Sequence, residues 1–200
     1  MRRVAILGGT FDPIHIGHLA LANWFLLNTE LHLDQVLLVP TVQNPLKKKQ
    51  SLFSFEERVA FIQAAIQGDT RFECSTIEAS LPSPHYTFDT LEALHSEWHD
   101  AALCFIMGSD SWCNIKDWYR YQELITGTDF LIYPRRGSVV ASESLPPRCY
   151  LAAEAPLIEI SSTYLREALR KGEDVRFFLP QPNLIHEMQS IVRNGTTTTL

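Results

Sequence analysis

The chain has 200 residues, 46% of them apolar, enough for one sizeable packed core with at most a small appended lobe. Its formal net charge of −6 argues against a nucleic-acid binder that relies on bulk positive charge, but not against a small anionic ligand held by a few local cations. No apolar run approaches a membrane span, and Met1-Arg2-Arg3-Val4 leads into the first apolar run with no room for a signal peptide, so no membrane partner is expected. Cys74, Cys104, Cys113 and Cys149 form no Cys-x-x-Cys pair, which suits reduced thiols in a cytoplasm better than a disulfide framework or a zinc site.

Val4-Ala5-Ile6-Leu7 reads as a buried strand, and residues 19–27 read as a helix. Between them lies Gly8-Gly9-Thr10-Phe11-Asp12-Pro13-Ile14-His15-Ile16-Gly17-His18. A strand that ends in glycines and turns into a helix is a general device for holding phosphate, through close backbone approach and the free N–H groups of the helix start. His15 and His18 are three residues apart, so both rings fit one side of a first helical turn. Thr10 either donates a hydroxyl to phosphate or caps the turn, and spacing alone assigns Asp12-Pro13 no chemistry.

A second strand over 35–39 is stopped by Pro40, and a loop over 41–53 carries Asn44-Pro45-Leu46-Lys47-Lys48-Lys49. Ser54-Phe55-Glu56-Glu57 is a capping box opening a helix to about residue 67, closed by Gly68. Residues 72–77 read as extended, 80–85 as a loop with two prolines, and a helix starts near 87–89 and runs to about 98. The apolar run 102–107 is a buried strand ending at Gly108-Ser109-Asp110. A short helix over 118–125 and a strand over 130–133 follow, with Pro134 stopping the strand. Residues 138–149 read as a polar, proline-bearing mobile loop, and 157–160 as the last strand. Ser161-Ser162-Thr163 caps a helix to about 171, stopped by Gly172, and a terminal helix covers 179–193. The whole is expected to be one α/β domain over 1–193, a Rossmann-like doubly wound parallel sheet with helices on both faces, and 194–200 a frayed tail. In such sheets ligands bind beyond the carboxyl ends of the strands, where Gly8 to His18, Lys47, Gly108 to Asp110 and Ser161 to Arg166 all fall.

Gly-Gly-Thr-Phe-Asp-Pro with His-x-Gly-His resembles the first signature of the nucleotidyltransferase superfamily, and Ile160-Ser161-Ser162-Thr163-Tyr164-Leu165-Arg166 resembles its second. Tyr86-Thr87-Phe88-Asp89-Thr90, Gly108-Ser109-Asp110-Ser111-Trp112 and Trp118-Tyr119 extend the likeness to the bacterial nicotinate mononucleotide adenylyltransferase family, from Val4 to about Ile191. Where many members read Pro-Pro-His-Lys, this chain has Asn44-Pro45-Leu46-Lys47, which keeps the lysine and lacks the histidine.

The resemblance implies adenylyl transfer from ATP, accompanied by Mg²⁺, to nicotinate mononucleotide, with no nucleic-acid partner; oligomeric state is left open. It implies that His15, His18 and Arg166 are catalytic, and that Gly8, Gly9, Thr10, Phe11, Gly108, Asp110, Ser161, Ser162 and Thr163 join them around ATP. It further implies that Lys47, Thr87, Asp110, Trp118 and Tyr119 meet the acceptor nucleotide. For several of these the residue alone permits a plainer reading: a helix cap for Ser161 to Thr163, a turn for Asp110, core packing for Trp118. Two rivals use the same motifs. An adenylyltransferase for pantetheine phosphate fits Asn-Pro-x-Lys but not the Trp118-Tyr119 stretch, and a class I aminoacyl-tRNA synthetase fits His-x-Gly-His but needs a tRNA-binding body. A nucleotide-binding sensor without turnover is the non-enzymatic alternative.

Overall fold

The structure, a computed structural model, describes residues 1–28, 30–43 and 51–196. Six strands, β1 (Arg2–Gly9), β2 (Gln35–Pro40), β3 (Phe72–Cys74), β4 (Ala101–Gly108), β5 (Asp129–Tyr133) and β6 (Cys149–Leu151), form a parallel sheet in the order β3-β2-β1-β4-β5-β6. The helices are α1 (Ile16–Leu27), α2 (Phe55–Ile66), α3 (Thr87–Glu97), α4 (Ser109–Trp112), α5 (Tyr121–Gly127), α6 (Ser162–Arg170) and α7 (Leu184–Thr196). No described helix is long and apolar enough to cross a membrane.

The central strands carry consecutive apolar residues, Val4–Leu7, Val36–Val39 and Leu103–Met107, because both faces are covered. Alternate side chains point to opposite faces of a strand. Ala5, Leu7, Val36, Leu38, Cys104, Ile106 and Leu131 enter one core with α1, α2, α6 and α7. Val4, Ile6, Leu37, Val39, Phe105, Met107, Phe130 and Ile132 enter the other, with α3 and α5. Each fully buried Ile, Leu or Phe in these layers contributes roughly 1.5–3 kcal/mol.

The strand order reverses between β1 and β4, and this switch point positions the site. β1 pairs with β2 as far as Gly9↔Pro40, but with β4 only as far as Leu7↔Ile106. Gly8 and Gly9 therefore run free of β4 while still held by β2, and a crevice opens at the carboxyl ends of the strands.

Local signals were reliable where a cap or a glycine acts. Ser54 Oγ accepts from Glu57 N–H at 3.2 Å and Glu57 Oε2 accepts from Ser54 N–H at 2.8 Å, completing the capping box of α2. Gly68 and Gly172 lie beyond α2 and α6 with φ of +86° and +74°.

Four expectations need correction. Residues 157–160 form no strand; the sixth strand is Cys149–Leu151, which overlaps the end of the expected loop 138–149, itself containing a 3-10 turn at Ser142–Ser144. The extended stretch at 72 ends at Cys74, and Ile77–Ser80 is a 3-10 helix. The helix expected at 118–125 is a 3-10 turn, Ile115–Asp117, followed by extended Trp118, Arg120 at φ +53°, and α5 from Tyr121. The terminal helix begins at Leu184, not 179, because Pro180 and Pro182 bar a helix there, and it extends to Thr196, while the rest of the tail expected over 194–200 lies outside the described residues.

Candidate active site

The site is built first from the exit of β1. Phe11, 2% exposed, takes the left-handed conformation at φ +47° and folds its ring back over the turn. A Cβ at Gly9 would lie 3.1 Å from that ring and press against it. Asp12 is buried, and its two carboxylate oxygens accept from the backbone N–H groups of Leu52 and Phe53, each at 2.9 Å. The residue that spacing left without a role thus ties the glycine turn to the start of α2.

His15 is the N-cap residue of α1 and is 4% exposed. The His18 ring stacks on it at 3.7 Å with 26° between planes, and meets the Phe11 ring edge-on at 4.9 Å. The His15 backbone N–H donates to His18 Nδ1 at 3.2 Å. A neutral imidazole with an accepting Nδ1 carries its proton on Nε2, so His18 offers Nε2–H as a donor. Burial lowers the His15 pKa to about 4, with Arg135 contributing. Burial also pushes His18 well below its ordinary value, helped by His15 and Arg135. Both rings are neutral at pH 7, as two stacked imidazoles beside a guanidinium must be.

The far end of the chain closes onto this turn. Ser161 Oγ caps α6 by accepting from Tyr164 N–H at 3.2 Å, and Ser162 Oγ donates to Pro13 O at 3.0 Å. Arg166 Nη1 donates to Asp12 O at 2.8 Å and lies 3.6 Å from Asp12 Oδ2, while Nη2 donates to Thr163 Oγ1 at 3.0 Å. Asp12 thus fixes Arg166, although 154 residues separate them.

At the exit of β4, a Cβ on Gly108 would fall 2.3 Å from Asp110 Oδ1 and 3.1 Å from Arg135 Cγ. Ser109 is fully buried; its Oγ accepts from Arg135 N–H at 2.8 Å and donates to Ser138 O at 3.0 Å. Arg135 Nη2 donates to the Tyr133 hydroxyl at 2.7 Å, and its Nε is buried with no partner among the described residues. Sequence reasoning missed Arg135, reading Pro134-Arg135-Arg136 only as a strand stop. Its place at the carboxyl end of β5 was the available signal.

On the α3 side, Tyr86 stacks on Tyr119 at 4.5 Å and Trp118 meets Phe105 edge-on at 6.3 Å. Thr87 begins α3, as expected. Tyr119 does not begin a helix: it lies in the turn before α5, which starts two residues later. Those aromatic contacts accompany an extended Trp118 and a turn at Tyr119 in place of the expected helix. Lys47 lies outside the described residues.

One cavity of about 1020 Å³ collects these groups. Gly8, Gly9, Thr10, Phe11, His15 and His18 line it from the β1 turn, and Gly108, Asp110 and Arg135 from the β4 and β5 exits. Ser161, Ser162, Thr163 and Arg166 line it from α6, and Thr87, Trp118 and Tyr119 from the α3 side.

The cytidylyltransferase-like family matches residues 6–168. A Bacteroides fragilis protein named "Probable nicotinate-nucleotide adenylyltransferase" is 42% identical over 177 residues, 88% of this chain and 87% of that one. One of the same name from Porphyromonas gingivalis is 38% identical over 192 residues, 96% and 94% of the two chains. The chain belongs to the nicotinate-nucleotide adenylyltransferase family. Among solved structures, the Plasmodium falciparum nicotinic acid mononucleotide adenylyltransferase complexed with NaAD superposes with a TM-score of 0.74, at 21% identity, covering 98% of this chain and 97% of that one. At that identity the likeness concerns the fold.

In this member of the nicotinate-nucleotide adenylyltransferase family, side chains from the strand exits around the switch point line one cavity. The cysteine thiols at 104 and 149 are buried and held in the protonated form, pushed up to about 12 and about 11 by desolvation. Among the described residues no three His, Cys, Asp or Glu side chains are grouped to hold a metal ion. Asp12, the acid on the β1 turn, has its oxygens engaged by two N–H groups and faces Arg166.

Proposed function

We propose that this chain transfers the adenylyl group of ATP to nicotinate mononucleotide, giving nicotinate adenine dinucleotide and pyrophosphate, as a cytoplasmic step of NAD biosynthesis. A phosphate oxygen of the acceptor attacks the α-phosphorus, and the bond from that phosphorus to the bridging oxygen of pyrophosphate breaks. The nucleophile is already anionic, so catalysis consists of bringing two polyanions together and stabilising charge on the transferring group. The observation that supports this reading best is the joining of α6 to the His15–His18 turn, Arg166 through Asp12 and Ser162 through Pro13, at one cavity.

His18 donates Nε2–H to an oxygen of the α-phosphoryl, and its neutrality lets it bind without requiring a proton first. Arg166 and Arg135 supply fixed cations on either side. Gly8 to Phe11 and the N–H groups at the start of α6, from Ser161 to Thr163, cradle phosphates. Asp110 takes ribose hydroxyls. Trp118 stacks on the pyridine ring, and N–H groups at Thr87 and Tyr119 receive the nicotinate carboxylate. Lys47 would grip the acceptor phosphate. Mg²⁺ enters as part of the MgATP substrate, on phosphate oxygens and water, where it neutralises charge.

Pyrophosphate release from MgATP is the test, with nicotinate mononucleotide, its amide counterpart and phosphopantetheine as acceptors. The acid should be turned over, and the amide much more slowly. Equal rates with acid and amide contradict the carboxylate pocket, turnover of phosphopantetheine points to the other acceptor class, and ATP binding without release points to a sensor.

A further inference from the structure

The buried cation of α2 is used by neither substrate in that scheme. Arg58 is 2% exposed, and its guanidinium forks between carbonyls that end two different strands. Nη1 donates to Thr10 O at 2.6 Å, on the β1 turn, and to Thr41 O at 2.8 Å, one residue past β2. Nη2 donates to Val42 O at 3.4 Å. Val42 is held from its other side, where its N–H donates to Glu78 Oε1 at 3.3 Å. Glu78 sits on the 3-10 helix Ile77–Ser80, is 4% exposed and lines the cavity with Thr41.

An apolar side chain would suit position 58 on solvation grounds, since it shares the buried stripe of Phe61 and Ile62 and a buried charge is costly. What an apolar side chain could not do is fix the distance between Thr10 and Thr41. We propose that Arg58 and Glu78 are positioning residues that hold the ATP turn and the β2 exit in register, so that acceptor phosphate and α-phosphorus meet in line. The inference rests on the adenylyl-transfer reading. Its physical basis is the steep dependence of such reactions on alignment, where a misplacement of about 1 Å costs on the order of a hundredfold.

The experiment measures kcat, both KM values, Tm and the Kd of a non-hydrolysable ATP analogue for Arg58→Lys, Glu78→Ala and Glu78→Gln. Lysine keeps the charge but cannot span three carbonyls from two nitrogens. Arg58→Lys should lower kcat about tenfold or more while the analogue Kd moves less than about threefold. Glu78→Ala should lower kcat and raise the KM of nicotinate mononucleotide, and Glu78→Gln, which keeps an acceptor for Val42 N–H, should restore most of the loss. If Arg58→Lys does not fold, the Glu78 pair decides alone. Wild-type kcat in both Arg58→Lys and Glu78→Ala overturns the proposal, as does a lowered Tm with kcat unchanged. A wild-type chain that releases no pyrophosphate overturns the function reading and this proposal with it.

Discussion

At His18, the tautomer, the charge and the direction of the donor are set by different neighbours: the His15 N–H, the buried surroundings, and the Phe11 and His15 rings. His18→Ala removes the donor and leaves the turn. Turnover should fall about a hundredfold or more, the loss typical of one oxyanion donor, with Tm little changed; a fully active variant would remove His18 from the mechanism. His15 makes a second prediction, on stability. Its folded pKa, about 4, lies below the ordinary 6.5, so between these values the unfolded chain binds more protons. Stability from this group is complete above pH 6.5 and lost as pH falls towards 4, by about 3 kcal/mol. Urea unfolding across that window should show the slope in the wild type and a flatter one in His15→Gln; identical slopes would contradict the assignment. Gly108 is a third point: Gly108→Ala drives a methyl into Asp110 Oδ1 and the Arg135 stem. The KM for ATP should rise several-fold with the fold intact by circular dichroism, and an unchanged KM would argue against Asp110 as a ribose contact. His15, His18 and Gly108 were legible because each stands in a motif at a strand exit. Arg58 was not, because a capping box followed by an apolar stripe reads as plain helix. The available sign was an arginine at the spacing of Phe61 and Ile62.

Among the elements, those with a local physical cause were readable and those with a tertiary cause were not. The cap of α2 belongs to the first kind. Ser54→Ala should cost about 1 kcal/mol and lower Tm by roughly 2–4 °C with kcat unchanged, because Ser54 does not line the cavity. A loss of activity at unchanged Tm would mean that the start of α2 acts on the site through Leu52, Phe53 and Asp12. The strand expected at 157–160 belongs to the second kind. Leu157-Ile158-Glu159-Ile160 has strand composition, but these residues wall the cavity and Leu157 is 62% exposed. The true edge strand is three residues long and follows Pro146-Pro147, too short for periodicity to reveal. Trp118 and Tyr119 depart from the helix for a related reason, since their partners Phe105 and Tyr86 are distant in sequence.

Over the whole molecule, net charge misleads and topology informs. A chain of charge −6 still brings Arg135 and Arg166 to one cavity, because the sheet order places the exits of β1, β4 and β5 side by side and α6 folds over them. On the proposed reading, reaction takes place at the α-phosphorus and the γ-phosphoryl is not transferred to the acceptor. Single-turnover incubation with nicotinate mononucleotide and ATP labelled at either the α or the γ phosphate tests this most directly. The α label should appear in the dinucleotide and the γ label in pyrophosphate. A γ label on the acceptor, or no label transferred to it from either position, would contradict the account.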